Sequence, residues 1–238
     1  MKRYLEKITD ELNIEYDIPF ANVIGYDGNP IELALDVYSP ANDTDTNRRT
    51  IIIVHGGGFV GGTKQQDYVK TLAIEFAQLG YVCVSIDYRL HSKDKHPGRK
   101  LGAVYAAEDV EMARLFLCDN AEKFGINMSN IALMGGSAGG MAINEACKNK
   151  DAGYRCCICL WGGPEEITEP EKYVDMLLSH GTDDHTVAYE KSVDLYNALN
   201  EVGVHCELIP IEGADHTCIH MRHIFMLRAT QFLDERMN

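Results

Sequence analysis

Ser137 stands at the centre of Gly135-Gly136-Ser137-Ala138-Gly139-Gly140, after the β-prone run Ile131 to Met134 and before a small-residue helical stretch containing Ala142 and Ala146. A serine on such a strand-to-helix turn sits on a strained backbone, and glycines are needed on both sides because neighbouring elements pass too close for side chains. The pattern Gly-x-Ser-x-Gly is that of a nucleophile presented for attack; its plain alternative is a glycine-rich turn carrying an incidental serine. A serine hydroxyl becomes a nucleophile only when a base takes its proton, and the base needs an acid to orient it. His216, in Glu212-Gly213-Ala214-Asp215-His216, follows the apolar run Val204 to Ile211. Asp183 and Asp184, in His180-Gly181-Thr182-Asp183-Asp184, follow Val174 to Leu178, and either can serve as the acid.

A second constellation, His55-Gly56-Gly57-Gly58, follows Ile51 to Val54. Its side-chain-free amides can face a developing negative charge, and losing one such donor typically costs about 3 kcal/mol. Gly57, Gly58 and Ala138 are the expected oxyanion-hole donors, while His55 orders its loop. The same run also spells Gly-x-Gly-x-x-Gly through Gly56, Gly58 and Gly61, with Asp87 closing the next strand, so a dinucleotide-binding oxidoreductase is a rival reading. Against it, the helical pattern begins near Asp67 rather than within the glycines, leaving no helix N-terminus for a pyrophosphate. A non-catalytic ligand binder on the same scaffold is a third class.

These residues can meet only if a sheet brings strand ends together. Short apolar runs at Ile51–Val54, Val82–Ile86, Ile131–Met134, Cys156–Leu160, Val174–Leu178 and Val204–Ile211 alternate with helical patterns through Val69-Leu72-Phe76, Ala106-Val110-Ala113-Leu117 and Ala188-Leu195-Leu199. That alternation predicts an α/β fold with a mostly parallel sheet and helices on both faces. Carboxyl ends of parallel strands share one edge, so the glycine loop, Ser137, the aspartates and His216 converge there. Asn22 to Tyr38, divided by Tyr26-Asp27-Gly28-Asn29-Pro30, reads as an N-terminal antiparallel hairpin. Met1 to Asp17 reads as an amphipathic segment. Few residues separate Trp161 from the next strand, so no large lid is expected there. Trp161 either lines the substrate pocket or packs in the core.

The chain has 238 residues and a net charge of −14, with basic residues scattered along it. That argues against nucleic acid and anionic membranes as partners. No apolar stretch approaches the roughly 18 residues of a membrane span, and the start lacks a signal peptide's apolar core, so a cytoplasmic location is expected. Cys83, Cys156, Cys157 and Cys159 lie in apolar runs and read as reduced, buried thiols. His216, His220 and His223 cluster near a helix start but lack a His-Glu-x-x-His arrangement, so no metal is expected.

With His55-Gly56-Gly57-Gly58-Phe59, Asp87-Tyr88-Arg89-Leu90, the Ser137 hexapeptide, His180 to Asp184 and Asp215-His216 in hand, the sequence resembles the serine carboxylesterases of the α/β-hydrolase superfamily. The resemblance is greatest to the hormone-sensitive-lipase-like and small carbohydrate-esterase branch, and it runs from about Ile51 to His216. It implies one α/β-hydrolase domain over residues 1–238 and a Ser-Asp-His order, with the His-Gly-Thr-x-Asp pattern placing the acid on Asp184 and leaving Asp183 as fallback. Phe59 and Trp161 are the implied substrate contacts. The implied activity is cofactor-free hydrolysis of short-chain acyl esters through an acyl-enzyme, on a small-molecule or oligosaccharide ester. Gly136 stands where many lipolytic members carry an acidic residue, which looks more like esterases of acetylated or feruloylated sugars. An arylformamidase-like amide hydrolase is the nearest alternative within the superfamily.

Overall fold

The computed structural model describes residues 2–92 and 98–238. Its frame is one eight-stranded sheet: β1 (Leu12–Ile24), β2 (Pro30–Pro40), β3 (Arg48–Val54), β4 (Val82–Ile86), β5 (Ile126–Gly136), β6 (Cys156–Leu160), β7 (Asp175–Gly181) and β8 (Cys206–Ile211). In space the order is β1-β2-β4-β3-β5-β6-β7-β8. β1 and β2 pair antiparallel, β2 is antiparallel to β4, and every pairing from β4 to β8 is parallel.

Ile51–Val54 of β3 and all of β6 are apolar, and Ser85 alone interrupts β4, because both faces of the sheet are covered. Ile52 and Val54 point to one face, under α2 (Arg99–Asp119), α4 (Ala138–Ala146) and α5 (Glu190–Glu201). Ile51 and Ile53 point to the other, under α1 (Asp67–Gln78) and α6 (His223–Arg236). A short α3 (Ala121–Phe124) closes on a left-handed Gly125 before β5. Between β6 and β7 the ordered element is a single 3-10 turn, Pro170–Lys172, so the chain places no helical lid there. No helix among the described residues is long and apolar enough to cross a membrane.

The hairpin is longer than its turn residues suggest. β1 begins at Leu12 rather than Asn22, so the end of the segment read as amphipathic is strand. The alternation of Leu12, Ile14, Ile18 and Phe20 with polar residues is broken by register shifts between Glu15 and Ile18 and between Pro19 and Ala21. Such bulges blur the period of two on which sequence reading depends. Residues 2–11 are turns and extended chain, anchored by Tyr4 against Tyr81 at 4.7 Å and by the Arg49 guanidinium 4.3 Å from the Tyr4 ring. Met1 lies outside the described residues.

All eight cysteines are free, and all but Cys118 are buried. Cys156 and Cys159 have Cys-x-x-Cys spacing but sit on a strand, where three residues separate opposite faces, and they enter different halves of the core. Burial pushes both thiols up to about 12.

Candidate active site

Ser137 joins β5 to α4 with φ 56° and ψ −122°, a strained conformation for a residue with a side chain. The backbone is held there by the Ser137 N–H donating to Leu160 O and the Met141 N–H donating to Ser137 O. Gly139 explains why the flanks are glycine. A Cβ there would overlap the Val54 carbonyl oxygen and lie 2.6 Å from that of His55, so α4 could not seat against the end of β3.

His216 reaches Ser137 from the loop after β8. Its Nε2 lies 2.9 Å from Ser137 Oγ, and its Nδ1 lies 2.7 Å from Asp184 Oδ2. A carboxylate only accepts, so the ring proton sits on Nδ1 and Nε2 offers its lone pair to the serine hydroxyl. Asp184 follows β7 and its side chain is fully buried. Its Oδ1 accepts the N–H groups of Thr186 at 2.8 Å and Val187 at 2.9 Å. Burial acts to raise the Asp184 pKa, but these donors and His216 outweigh it and hold the carboxyl below its ordinary value. Asp183, the other aspartate, is exposed, and its backbone N–H donates to Ala214 O. Asp215 bridges two loops, its Oδ1 accepting the N–H of His216 on its own loop and of His185 on the loop after β7.

The glycine loop after β3 forms the opposite wall. Gly57 (φ 118°) and Gly58 (φ 62°) have left-handed backbones, and a Cβ on Gly57 would overlap Gly61 O. Both line the same cleft as Ser137 and Ala138. Ala138 is the first residue of α4, so its N–H has no intrahelical acceptor. His55 does not enter the cleft. Its Nδ1–H donates to Gly56 O at 2.6 Å, and its ring stacks on Tyr88 with centroids 4.2 Å apart. Burial lowers its pKa, so the imidazole is neutral and acts as a loop brace. Behind it the Lys64 N–H and ammonium both donate to Asp87, at 2.8 and 3.0 Å, and the ammonium also pairs with Asp17. Asp87, the acid the dinucleotide reading would use for a ribose, is thus tied into this buttress. Arg89 is paired too, through its backbone N–H and guanidinium on the buried Asp109.

The cleft has a volume of about 550 Å³. Phe59, Tyr68, Met141, Trp161 and Ile219 give it apolar walls, and Gln66, Arg99 and Thr186 bring polar groups. Phe59 and Trp161 are fully buried, so they shape the floor from below. Trp161 lies beneath the serine turn, where a Cβ on Gly136 would come within 2.7 Å of its Nε1, and Tyr68 meets its ring edge-on at 5.6 Å. His220 and His223 are exposed, and His216 faces Ser137 and Asp184 rather than them. Among the described residues no group of three or more His, Cys, Asp or Glu side chains is arranged to hold a metal ion. Tyr68 and Met141 escaped the sequence reading because they are ordinary core residues in pattern. His180 was visible only as the first residue of its motif. In the structure its fully buried ring touches Asp184 Oδ2 at 3.0 Å.

Comparison with known proteins bears on this arrangement. The human protein named arylacetamide deacetylase-like 2 is 28% identical over 142 residues, covering 58% of this chain and 34% of its own length. The acetyl esterase of Salmonella paratyphi B is 29% identical over 133 residues, covering 53% of this chain and 38% of its own. The aligned regions thus span little more than a third of these curated relatives. Among solved structures, Thermogutta terrifontis esterase 2 phosphorylated by paraoxon superposes with a TM-score of 0.71 at 23% identity, covering 93% of this chain and 94% of that one. MGS-M1, an α/β hydrolase enzyme from a Medee basin deep-sea metagenome, gives 0.77 at 17% identity, covering 96% and 99%. At those identities the superpositions establish a common fold. The prolyl oligopeptidase family model matches residues 164–238, and the BD-FAE model matches residues 35–153. The second match runs from β2 through the glycine loop and the Ser137 turn to the end of α4 and beyond, half of the sequence, and on that ground the chain belongs to the BD-FAE family.

Proposed function

We propose that the protein hydrolyses short-chain carboxylic esters with Ser137 as nucleophile, His216 as base and Asp184 as its orienting acid. One observation carries this reading: the two hydrogen bonds of His216, 2.9 Å to Ser137 Oγ and 2.7 Å to Asp184 Oδ2, join three residues from separate strand ends. His216 Nε2 takes the hydroxyl proton as Ser137 Oγ attacks the acyl carbon, and the imidazolium is stabilised by the buried carboxylate. The carbonyl oxygen, now negative, is held by backbone N–H groups of Gly57, Gly58 and Ala138. The imidazolium gives its proton to the departing alcohol. A water molecule, deprotonated by His216, then attacks the acyl-enzyme and releases the acid. Phe59 and Trp161 shape the floor on which the ester lies.

The short-chain preference is supported by the size of the cleft and by the absence of a helical lid between β6 and β7. The likeness to bacterial acetyl esterases favours acetyl groups, and Gly136 in place of an acidic residue favours acetyl or feruloyl esters borne on a carbohydrate. The test is turnover of 4-nitrophenyl acetate, butyrate and octanoate by the protein and by Ser137→Ala, with no metal added. Fast turnover of the short esters, falling by on the order of 10³-fold or more in the variant, is the expected result. Near-normal turnover by Ser137→Ala removes the serine from the mechanism. The prolyl oligopeptidase match over residues 164–238, which holds both Asp184 and His216, keeps amide hydrolysis as the second reading. Assay of N-formylkynurenine beside the esters separates the two.

A further inference from the structure

Asp184 is bound by more than His216. Its Oδ1 is satisfied within its own loop, by the N–H groups two and three residues ahead. That local turn fixes the carboxylate to the loop but not the loop to the sheet. Oδ2, the oxygen that meets His216, is also 3.0 Å from His180 Nε2, and His180 belongs to β7. The same nitrogen lies 2.9 Å from Val187 O, so both its neighbours are acceptors and it carries a proton. The other ring nitrogen, Nδ1, is 2.7 Å from Ser192 Oγ on α5, and Ser192 Oγ is 3.1 Å from Gly162 O.

The Ser192 hydroxyl donates to Gly162 O and lies against Nδ1, so α5 and the loop after β6 hold the far side of the ring. The proton on Nε2 follows from its two acceptors, Asp184 Oδ2 and Val187 O. From the elements packed around it, the ring meets Asp184, the edge of Tyr189 at 5.9 Å and, through the shared carboxylate, His216.

We propose that His180 is a positioning residue for Asp184, its Nε2–H tying Oδ2 to the rigid end of β7 at the point where His216 Nδ1–H must meet it, with Ser192 on α5 holding the other side of the ring. The proposal rests on the Ser137–His216–Asp184 reading and adds to it a second histidine that never touches substrate. Losing it leaves the cleft intact and loosens the acid, so kcat falls while KM stays.

The experiment compares wild type, His180→Gln, His180→Leu, Ser192→Ala and Ser137→Ala on 4-nitrophenyl acetate, with thermal melting of each. Glutamine places an amide N–H near the position of Nε2–H, whereas leucine fills the space without a donor. A hydrogen bond to a charged group is worth enough that His180→Leu should lose about tenfold to a hundredfold in kcat at unchanged KM, with His180→Gln within about threefold of wild type. Wild-type kcat in a folded His180→Leu overturns the proposal. So does an equal loss in both His180 variants, which would mean that the imidazole serves packing rather than donation. Should His180→Leu fail to fold, Ser192→Ala decides: a fall in kcat at constant KM supports the anchored ring, and an unchanged kcat overturns the proposal. Retained turnover in Ser137→Ala is a different failure, that of the underlying reading.

Discussion

Replacing Asp184 by Asn tests the geometry most directly, because the substituted group has the same shape but the wrong hydrogens on one side. The carboxylate accepts four N–H groups: Thr186 and Val187 on Oδ1, His216 and His180 on Oδ2. An amide can satisfy only one pair. If its oxygen faces His216 and His180, its NH₂ confronts two backbone N–H groups, and each unmet donor costs about 1–3 kcal/mol. The favoured orientation keeps the oxygen on the backbone and turns the NH₂ toward the imidazoles. His216 Nδ1 must then accept, its proton moves to Nε2, and the nitrogen 2.9 Å from Ser137 Oγ can no longer take the serine proton. In the Ser-His-Asp template the corresponding change lowers kcat by about 10⁴, or between 5 and 6 kcal/mol of barrier by the rate equation. We expect a loss of that order in kcat for 4-nitrophenyl acetate, with labelling by a serine-directed organophosphonate slowed in parallel. Asp183→Asn, altering an exposed side chain, should stay within about twofold. An Asp183→Asn variant that loses as much, or an Asp184→Asn variant that loses less than about tenfold while remaining folded, would refute the assignment.

Two further outcomes follow from other parts of the molecule. Gly139→Ala drives a Cβ into the Val54 carbonyl, so the end of β3 and the glycine loop beyond it must move; a loss of about 1–3 kcal/mol in urea denaturation together with a fall in kcat is expected, and a variant that keeps both would show the two elements to be less closely seated than described. Asp43 is held down to about 2 by hydrogen bonds from Arg3, against the effect of burial, with Arg48 adding to the pull. Its folded pKa lies below the ordinary 3.8, so the stability it contributes is present above that value and is lost as pH falls toward about 2. Asp43→Asn should therefore be less stable than wild type at neutral pH, with the gap closing in acid; a gap that stays constant across that range would refute the linkage.

The architecture was legible because the runs Ile51–Val54 and Cys156–Leu160 are apolar at every position, Val82–Ile86 at every position but Ser85, and all are separated by helical periods, a pattern that few folds other than a buried parallel sheet produce. The first strand was not, since bulges near Glu15 and Pro19 break its alternation. The residues now seen together at the carboxyl edge were legible as types and positions. Residue type and spacing alone left open which of two adjacent aspartates turns inward, and only the family pattern put the acid on Asp184. Which one turns inward depends on the N–H groups of Thr186 and Val187 closing a turn around the second of them, a property of backbone direction rather than of residue type.

The same limit explains His180. Its place at the head of the motif says nothing of what each ring nitrogen faces, which is set by Asp184 and Val187 on the loop ahead and by Ser192 on a helix twelve residues away. Ser137, His216 and Asp184 come from three different strand ends, and each loop carrying one of them is free to shift unless something ties it to the sheet. Ser137 is tied through Leu160 O, and the glycine loop through Lys64 on Asp87. The Asp184 loop is tied to β7 by His180 and to the loop after β8 by Asp215, whose Oδ1 accepts the His185 N–H. On the proposed mechanism, catalytic geometry depends on links between loops and strand ends as much as on Ser137, His216 and Asp184 themselves, and the variants that cut those links should lower kcat while leaving the cleft, and KM, as they were.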